Sequence, residues 1–383
     1  MERKVYLTRF SSFFPGEPVF NDQMEERLGY VAGRASRSKA VVLRNNKITQ
    51  RYYATDKDGK ILYSNAALAA HAITGLWRKT PPYTPDPSEF PDLLACGTTW
   101  PDHLLPSHAS MVHGELGWPP VEAISTGGSC LSSFGCLKYA FALIRAGLIN
   151  KAVVCGSELF SPSLRAEQFE EEARQLQALE QEPFLAFEKD FLRWMLSDGA
   201  AAAYLSNRPG ESPSLEVEWM ELISFAGELE TCMFIGGMWD AQRKLHSYRA
   251  FSPREHAAHS MFAIQQNARL LSEHIVPYGG KVLRRLSEKY GLRPEDVDWF
   301  LPHLSSMFFA DKIERELQKI GFPIPREKWF TNLTTKGNIG SAAVFSFLDE
   351  MHKNNLLKSG QHLLIMVPES ARFSYGYAFF RVV

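Results

Sequence analysis

Residues 126–158 read TGGSCLSSFGCLKYAFALIRAGLINKAVVCGSE, and the order of elements that they predict decides the fold. A glycine turn leads into a long apolar helix, a break follows at RAG, and KAVVCGSE reads as a buried strand. A helix that is hydrophobic nearly all round, here Leu131–Ile144, belongs in the centre of a protein rather than on its surface. The stretch therefore predicts a central helix followed by a core strand.

The same order of elements recurs near the end of the chain. GNIGSAAVFSFLDEMHKNNLLKSG (337–360) reads as turn, helix and break, and HLLIMVPES (362–370) reads as the next strand. FSYGYAFFRVV (373–383) then matches MLSDGAAAAYLSN (195–207), a strand that we expect to begin at Gly199. These correspondences in one order indicate a duplicated β-α-β-β unit. We expect an α/β fold of two similar halves, with a sandwiched helix layer and a site at their junction.

The two halves should meet within RPGESPS (208–214), which gives units of residues 1–210 and 211–383. The first half carries an insertion at about 160–192, which contains the amphipathic stretch FEEEARQLQALEQ (169–181). Before the central unit, Lys4–Arg9 reads as a first strand. Ser64–Thr74 and Pro106–Leu116 read as helices.

Composition excludes several classes of protein. With 42 basic and 43 acidic residues, the chain has no charge imbalance for binding nucleic acid or an anionic membrane. No window approaches 18 uninterrupted apolar residues, and the amino terminus lacks the features of a signal peptide. The five cysteines form no CxxC pair and the eleven histidines no HExxH motif, so we expect no metal site and no disulfide framework. These features favour a cytoplasmic protein.

Three residues are candidates for chemistry. Cys130 follows two glycines and precedes a helix, where free N–H groups and the helix dipole favour a thiolate and can hold an oxyanion; alternatively, it is one more buried thiol. His303 follows a short apolar strand, so it is either a catalytic group at a strand end or a core histidine. Asn338 lies in the turn that matches the Cys130 turn, where a purely structural role is the default. The order Cys, His, Asn also occurs in papain-like proteases, but the papain signature around the cysteine is absent.

The segments that hold these residues resemble β-ketoacyl-acyl-carrier-protein synthase III of the thiolase superfamily over nearly the whole chain. The similar motifs are PSHASMVHGELG, TGGSCLSSF, RAGLINKAVVCGSE, LSDGAAAAYL, FLPHLSS, KGNIGSAAV and FSYGYAFFRV. The resemblance implies a five-layer αβαβα fold, a homodimer, and substrates carried as thioesters on acyl carrier protein or coenzyme A, with no other cofactor.

The resemblance also implies a role for each site residue. Cys130 would take the acyl group as a new thioester, and its own N–H and that of Ala371 would form the oxyanion hole. His303 and Asn338 would donate hydrogen bonds to the carbonyl of the second thioester. Since an asparagine cannot take up a proton, this set favours a Claisen-type condensation. Arg44 and Ser306 would contact the substrate or coenzyme A.

Several positions depart from the family pattern. Ala40 stands near the place of the family's coenzyme-A-stacking tryptophan, the residues after His303 differ, and Ser370, Ala371 and Arg372 replace a glycine triplet. Together with the insertion, whose helix lines an acyl tunnel or a dimer interface or is merely solvated, these changes favour a specialised pathway.

The segment ERLGYVAGRASRSKAVVLRNNKITQRYYA (26–54) resembles homologues that join two acyl chains in dialkylresorcinol and flexirubin-type pathways. That resemblance implies a β-ketoacyl and an unsaturated acyl thioester joined to a cyclohexanedione. The alternatives are an initiating synthase III of fatty-acid synthesis, an acyltransferase of the same fold that makes an ester or amide, and a half-active subunit of a heteromeric synthase.

Overall fold

The computed structural model describes residues 3–178, 187–211 and 213–383. The strands are β1 Tyr6–Phe13, β2 Val19–Phe20, β3 Gln50–Arg51, β4 Leu93–Gly97, β5 Glu122–Thr126, β6 Lys151–Glu158, β7 Gly199–Ser206, β8 Leu215–Ser224, β9 Met233–Phe234, β10 Gly237–Trp239, β11 Leu245–Ser247, β12 Gln265–Gln266, β13 Trp299–Pro302, β14 His362–Glu369 and β15 Ser374–Val382. The α-helices are α1 Met24–Leu28, α2 Lys39–Asn46, α3 Asn65–Gly75, α4 His108–Leu116, α5 Ser132–Ala146, α6 Ser161–Leu164, α7 Glu170–Ala178, α8 Phe187–Arg193, α9 Pro253–Ala258, α10 Ala268–Tyr290, α11 Ala310–Lys319, α12 Leu333–Lys336 and α13 Ala343–Lys353. None of these helices is long and apolar enough to cross a bilayer.

Nine strands form one mixed sheet in the order β13-β14-β15-β8-β1-β7-β6-β4-β5. Four strands of each half correspond in order and direction, and β5 is an additional strand of the first half. In the first half, β5, β4 and β6 are parallel, and β6, β7 and β1 are antiparallel. In the second half, β13 and β14 are parallel, and β14, β15 and β8 are antiparallel. An isolated parallel bridge from Phe300 to Trp329 stands in the place of β5. The strand order thus confirms the duplicated α/β fold.

The core lies in layers around this sheet. One buried cluster joins α5 and α13 to strands of both halves, including Leu7 and Ala203 from the first half and Ile365 and Phe380 from the second. A second cluster packs α3 and α4 on the outer face of the first half. A third packs α10 and α11 on the outer face of the second half. The two helices that follow the matched turns therefore form the sandwiched layer.

Most predicted elements begin within two residues of the observed ones. The helices expected at Ser64 and Pro106 begin at Asn65 and His108, because the Ser64 and Ser107 hydroxyls accept hydrogen bonds from N–H groups in the first turn and act as N-caps. The central helix is Ser132–Ala146, and β7 begins at Gly199 as expected. The first strand was predicted too early, because Tyr6–Phe13 is the segment that pairs with β7.

The described residues of the insertion form three α-helices and one 3₁₀ helix, and among these α8 is the one that lines a cavity near Cys130. Of the amphipathic stretch 169–181, the structure describes residues up to 178. Phe169 and Ala173 pack in a small separate cluster, and neither lines a cavity near Cys130. Phe191 of α8 does line such a cavity. The insertion therefore reaches the site through α8 rather than through its glutamate-rich part.

The close approach of the two halves gives a test of the layered packing. A Cβ atom built on Gly156 in β6 would clash with the backbone of Ser341 and Ala342 at the start of α13. We expect Gly156→Ala to lower the free energy of unfolding by about 1–3 kcal/mol through overpacking. Gly114→Ala in α4, where a Cβ meets nothing within 4 Å, is the matched control and should stabilise slightly. Urea titration of both variants checks this; equal midpoints would contradict the packing.

Candidate active site

An apolar cavity lies where the two halves meet, and both Cys130 and His303 line it. Its walls are mainly aliphatic side chains of α10 and α11, among them Leu271, Ile275 and Ile313. The surface beside the thiol is therefore apolar, as the chemistry of an acyl chain requires.

Cys130 lies in the turn between β5 and α5, two residues before the helix begins. Gly128 has φ 137°, a conformation that side-chain-bearing residues rarely adopt, so glycine is required there. The N–H of Ser132 donates to the carbonyl of Ser129 and closes the turn. Unlike Cys136, which is fully buried in the core, Cys130 is partly exposed.

The resting Cys130 side chain is a protonated thiol. Burial raises its pKa well above the usual range, and the negative charges of Glu369 and Glu158 raise it further; a hydrogen bond with the Ser129 side chain only partly offsets them. Burial and the two carboxylates therefore oppose the effect of the helix start, which favours a thiolate. A reaction at Cys130 needs an acceptor for its proton.

His303 is held by its backbone, and its ring is left free. It directly follows β13, and its N–H donates to the carbonyl of Met366 at 2.8 Å. The ring is buried, yet within the described residues neither Nδ1 nor Nε2 has a hydrogen-bond partner. Burial lowers the pKa of His303 to about 4, so the imidazole is neutral near pH 7. A neutral imidazole facing the cavity can donate one N–H to a substrate carbonyl.

Asn338 lies in the matching turn, between α12 and α13. Its backbone is anchored to the chain just before β7: its N–H donates to the carbonyl of Met195, and its carbonyl accepts from the N–H of Ser197. The side-chain Oδ1 accepts the N–H of Gly340 at 3.1 Å, which leaves the amide NH₂ as its free donor end. Asn338 is buried and is not among the residues that line the Cys130 cavity.

The predicted oxyanion donor Ala371 is occupied. Its N–H donates to Oε1 of Glu369 at 2.6 Å, so it is not free to bind an acyl oxygen in this arrangement. Glu369 ends β14 and is buried, and the same Oε1 accepts the Ser129 hydroxyl at 2.6 Å. The prediction for Ala371 was therefore incomplete, because it did not include the carboxylate two residues earlier.

A second glutamate has the corresponding place in the first half. Glu158 ends β6, is fully buried, and accepts the N–H of Ser341 at 2.9 Å and the hydroxyl of Thr99 at 2.7 Å. Burial raises the pKa of Glu158 to about 7, against the lowering effect of these hydrogen bonds. Sequence reasoning assigned no role to either glutamate, although the matched endings GSE and PES were the signal that could have found them.

A second cavity lies beside the Cys130 cavity. The two share Leu271, Ser305 and Phe309 in their walls, and α2 and α8 line the other side of the second one. Ser306 lines it and caps the next short helix by accepting the N–H of Phe308. Arg44 is exposed on α2, next to the lining residue Asn45. Both predicted binding residues thus lie at this second cavity, Ser306 in its wall and Arg44 beside it.

Known proteins are similar in sequence to this chain. Residues 287–381 match the family model described as 3-oxoacyl-[acyl-carrier-protein] synthase III, C terminal. The β-ketoacyl-[acyl-carrier-protein] synthase III of Oleidesulfovibrio alaskensis is 24% identical over 366 residues, 95% of each chain. That of Clostridium perfringens is 23% identical over 386 residues, 99% of this chain and 100% of the relative.

Solved structures share the fold over the full length. AbyA1, a tetronic acid condensing enzyme, superposes with a TM-score of 0.74 at 20% identity, covering 98% of this chain and 99% of that one. FabH from Pseudomonas aeruginosa gives 0.70 at 17% identity and covers all of both chains. OleA from Xanthomonas campestris gives 0.72 at 17% identity, covering 99% of this chain and 97% of that one. The five-layer thiolase-like fold is thereby confirmed.

The state of the imidazole can be measured directly. Because burial lowers the pKa of His303 to about 4, we expect its ring nitrogens in ¹⁵N-histidine-labelled protein to keep the shifts of a neutral imidazole from pH 8 down to about pH 5. His303→Asn, which removes the signal, assigns it. A midpoint near 6.5 would show that the ring is hydrated and not enclosed by the cavity.

Proposed function

We propose that this chain is a condensing enzyme of the thiolase superfamily, similar to 3-oxoacyl-[acyl-carrier-protein] synthase III, and that Cys130 carries its acyl group. The observation that supports this role is the shared cavity: the Cys130 thiol and the unpartnered His303 imidazole face one apolar space. An acyl thioester entering that space meets a nucleophile and a neutral donor together. The acyl group would leave its carrier and form a new thioester with Cys130.

The second step is carbon–carbon bond formation. His303 donates a hydrogen bond to the carbonyl of the second thioester, where enolate charge develops, and Asn338 donates another through its free NH₂. Neither group removes a proton from a hydroxyl or amine acceptor, since the imidazole is a weak base here and an amide is not a base. This set favours condensation over the transfer of the acyl group to an alcohol or amine.

The substrates arrive on a phosphopantetheine arm, which acyl carrier protein and coenzyme A share. The second cavity has the apolar side chains of Phe191 and Phe309 and the hydroxyls of Ser272 and Ser306 in its lining. Outside, Arg44 supplies a positive charge of the kind that suits a phosphate. These features support the binding roles proposed for Arg44 and Ser306 with either carrier.

The reaction belongs, we propose, to specialised lipid or polyketide synthesis. The apolar lining of the Cys130 cavity extends between α10 and α11 as far as Leu317. A long β-ketoacyl chain and an unsaturated acyl chain, joined to a cyclohexanedione, are substrates whose apolar chains suit such a lining. The initiating synthase of fatty-acid synthesis would instead accept acetyl and malonyl groups.

Intact-protein mass spectrometry tests the acyl carrier. After incubation with a panel of acyl thioesters from acetyl to long-chain, the wild type should gain one acyl mass, with long chains favoured. Cys130→Ala should lose the adduct entirely. Cys136→Ala, which removes a core thiol that is hydrogen-bonded to Thr126, should keep it. Loading that survives in Cys130→Ala would refute the assignment. Acetyl loading followed by acetoacetyl formation with malonyl carrier protein would identify an initiating synthase instead.

A homodimer is part of the proposal, and β5 is the element that supports it. Within the described strands β5 pairs only with β4, so its other edge is open, and open edges invite a second strand. Gly97 pairs with Thr126, so the loop after β4 leaves from the same end of that edge. It carries Leu104 and Leu105, which are 76% and 86% exposed. A second copy of this chain would cover both features.

Light scattering measures this assembly. We expect the wild type to elute with the mass of two chains, and the double variant Leu104→Asp/Leu105→Asp to shift toward one chain, because two buried charges oppose association. Leu62→Asp places a charge at another half-exposed leucine and serves as the control. A wild-type protein of 43.3 kDa in solution would contradict the proposal.

A further inference from the structure

The residue before Cys130 is linked to a buried carboxylate. Ser129 is buried, and its hydroxyl donates to Oε1 of Glu369 at 2.6 Å. A hydroxyl has one donor and two acceptor positions, so the Ser129 hydroxyl can accept from a neighbouring thiol while it donates to the carboxylate. Ser129 thus joins the nucleophile turn of the first half to Glu369 of the second half.

Glu369 is placed as an acceptor and has no cationic partner among the described ion pairs. Its Oε1 accepts from Ser129 and from the Ala371 N–H, and its Oε2 accepts the N–H of Arg372 at 3.3 Å. It is 6% exposed. A buried carboxylate next to a nucleophile, held only by neutral donors, is available to take up a proton.

We propose that Glu369, acting through the Ser129 hydroxyl, accepts the Cys130 proton while the acyl group is transferred. The inference rests on the proposed function, because it concerns the loading of the same thiol. It assigns the base for the first step to a residue of the second half that reaches across to the nucleophile of the first. His303 then remains neutral and keeps its N–H for the carbonyl.

The step balances without any further reactant. The Cys130 S–H bond breaks as the sulfur bonds to the thioester carbonyl carbon; that proton passes to Ser129 Oγ, and the Ser129 proton passes to Glu369 Oε1. When the tetrahedral intermediate collapses, the bond from the carbonyl carbon to the carrier sulfur breaks. The departing thiolate takes the proton back through the same path. Overall, the acyl group has moved from the carrier sulfur to the Cys130 sulfur, and the proton has moved from Cys130 to the carrier. No atom changes its oxidation state.

Proton uptake by Glu369 also frees the oxyanion donor. Once Oε1 carries a proton, it is a far weaker acceptor than a carboxylate oxygen, and its hold on the Ala371 N–H is lost. At that moment negative charge appears on the acyl oxygen, which needs such a donor. The carboxylate thus blocks the Ala371 N–H at rest and releases it when the oxyanion forms.

Other titratable groups face this site and must be separated from the effect. Glu158 on β6 and Glu369 both raise the pKa of Cys130, while Glu369 also raises that of Cys232 and of Tyr375 on β15. A purely electrostatic role for Glu369 therefore predicts that removing its charge makes the thiol easier to ionise. A proton-accepting role predicts the opposite change in reaction rate.

Quenched-flow loading of a preferred acyl thioester, followed by intact mass, distinguishes the two. We expect Glu369→Gln and Ser129→Ala each to slow loading at pH 7.5 by roughly 10²-fold, the usual size of a general-base contribution. The matched control is Glu158→Gln, which removes the other carboxylate but not the link to Ser129. The reaction of Cys130 with iodoacetamide is then measured in both glutamine variants. Its rate should be equal to or faster than the wild-type rate in Glu158→Gln, and slower than the wild-type rate in Glu369→Gln.

The pH profile provides a readout that a structural role would not change. In Glu369→Gln only free thiolate can react, so the loading rate should rise about tenfold per pH unit from pH 7 to 9, while the wild-type rate stays nearly flat. Glu369→Gln that loads as fast as the wild type, or faster, with the wild-type profile would overturn the inference and leave the proposed function standing. A wild-type protein that never loads would overturn the proposed function itself.

Discussion

Two buried glutamates hold the halves of this protein together at its centre. Glu369, at the end of β14, accepts the hydroxyl of Ser129 from the nucleophile turn of the first half. Glu158, at the end of β6, accepts the N–H of Ser341 from the asparagine turn of the second half. Each half thus supplies the carboxylate that fixes the other half's turn. The geometry of Cys130 and Asn338 depends on this reciprocal pair more than on either turn alone.

Such an arrangement requires close packing, and glycines provide it. Beside Gly376 in β15 there is room only for the start of α5, since an added Cβ would lie 2.6 Å from the Leu131 side chain. Gly156 in β6 makes the corresponding approach to α13. Each glutamate can reach the opposite half because its own strand, or the strand next to it, packs directly against the central helix of that half. At these glycines no side chain stands between the strand and the helix. Each carboxyl also accepts hydrogen bonds from its own half, Glu158 from Thr99 and Glu369 from the Ala371 N–H.

Much of this could be predicted from sequence because it depends on local or repeated patterns. The caps of α3 and α4, the central helices, and the correspondence of β6 to β14 and of β7 to β15 follow from periodicity and from the internal repeat. That Cys130 and His303 share a cavity was expected from a turn and a strand end. The hydrogen bond between Ser129 and Glu369 was not expected, because it joins side chains 240 residues apart in the chain. No local pattern encodes that contact.

The same contact changes how the departures from the family pattern are understood. Ala371 is one of the departures from the family pattern, and the structure joins it with Ser129 and Glu369 in one hydrogen-bonded chain. A buried negative charge beside the thiol raises the pKa of Cys130 and, without a compensating function, would only slow the enzyme. A proton path that ends on the Glu369 carboxylate gives that negative charge a function.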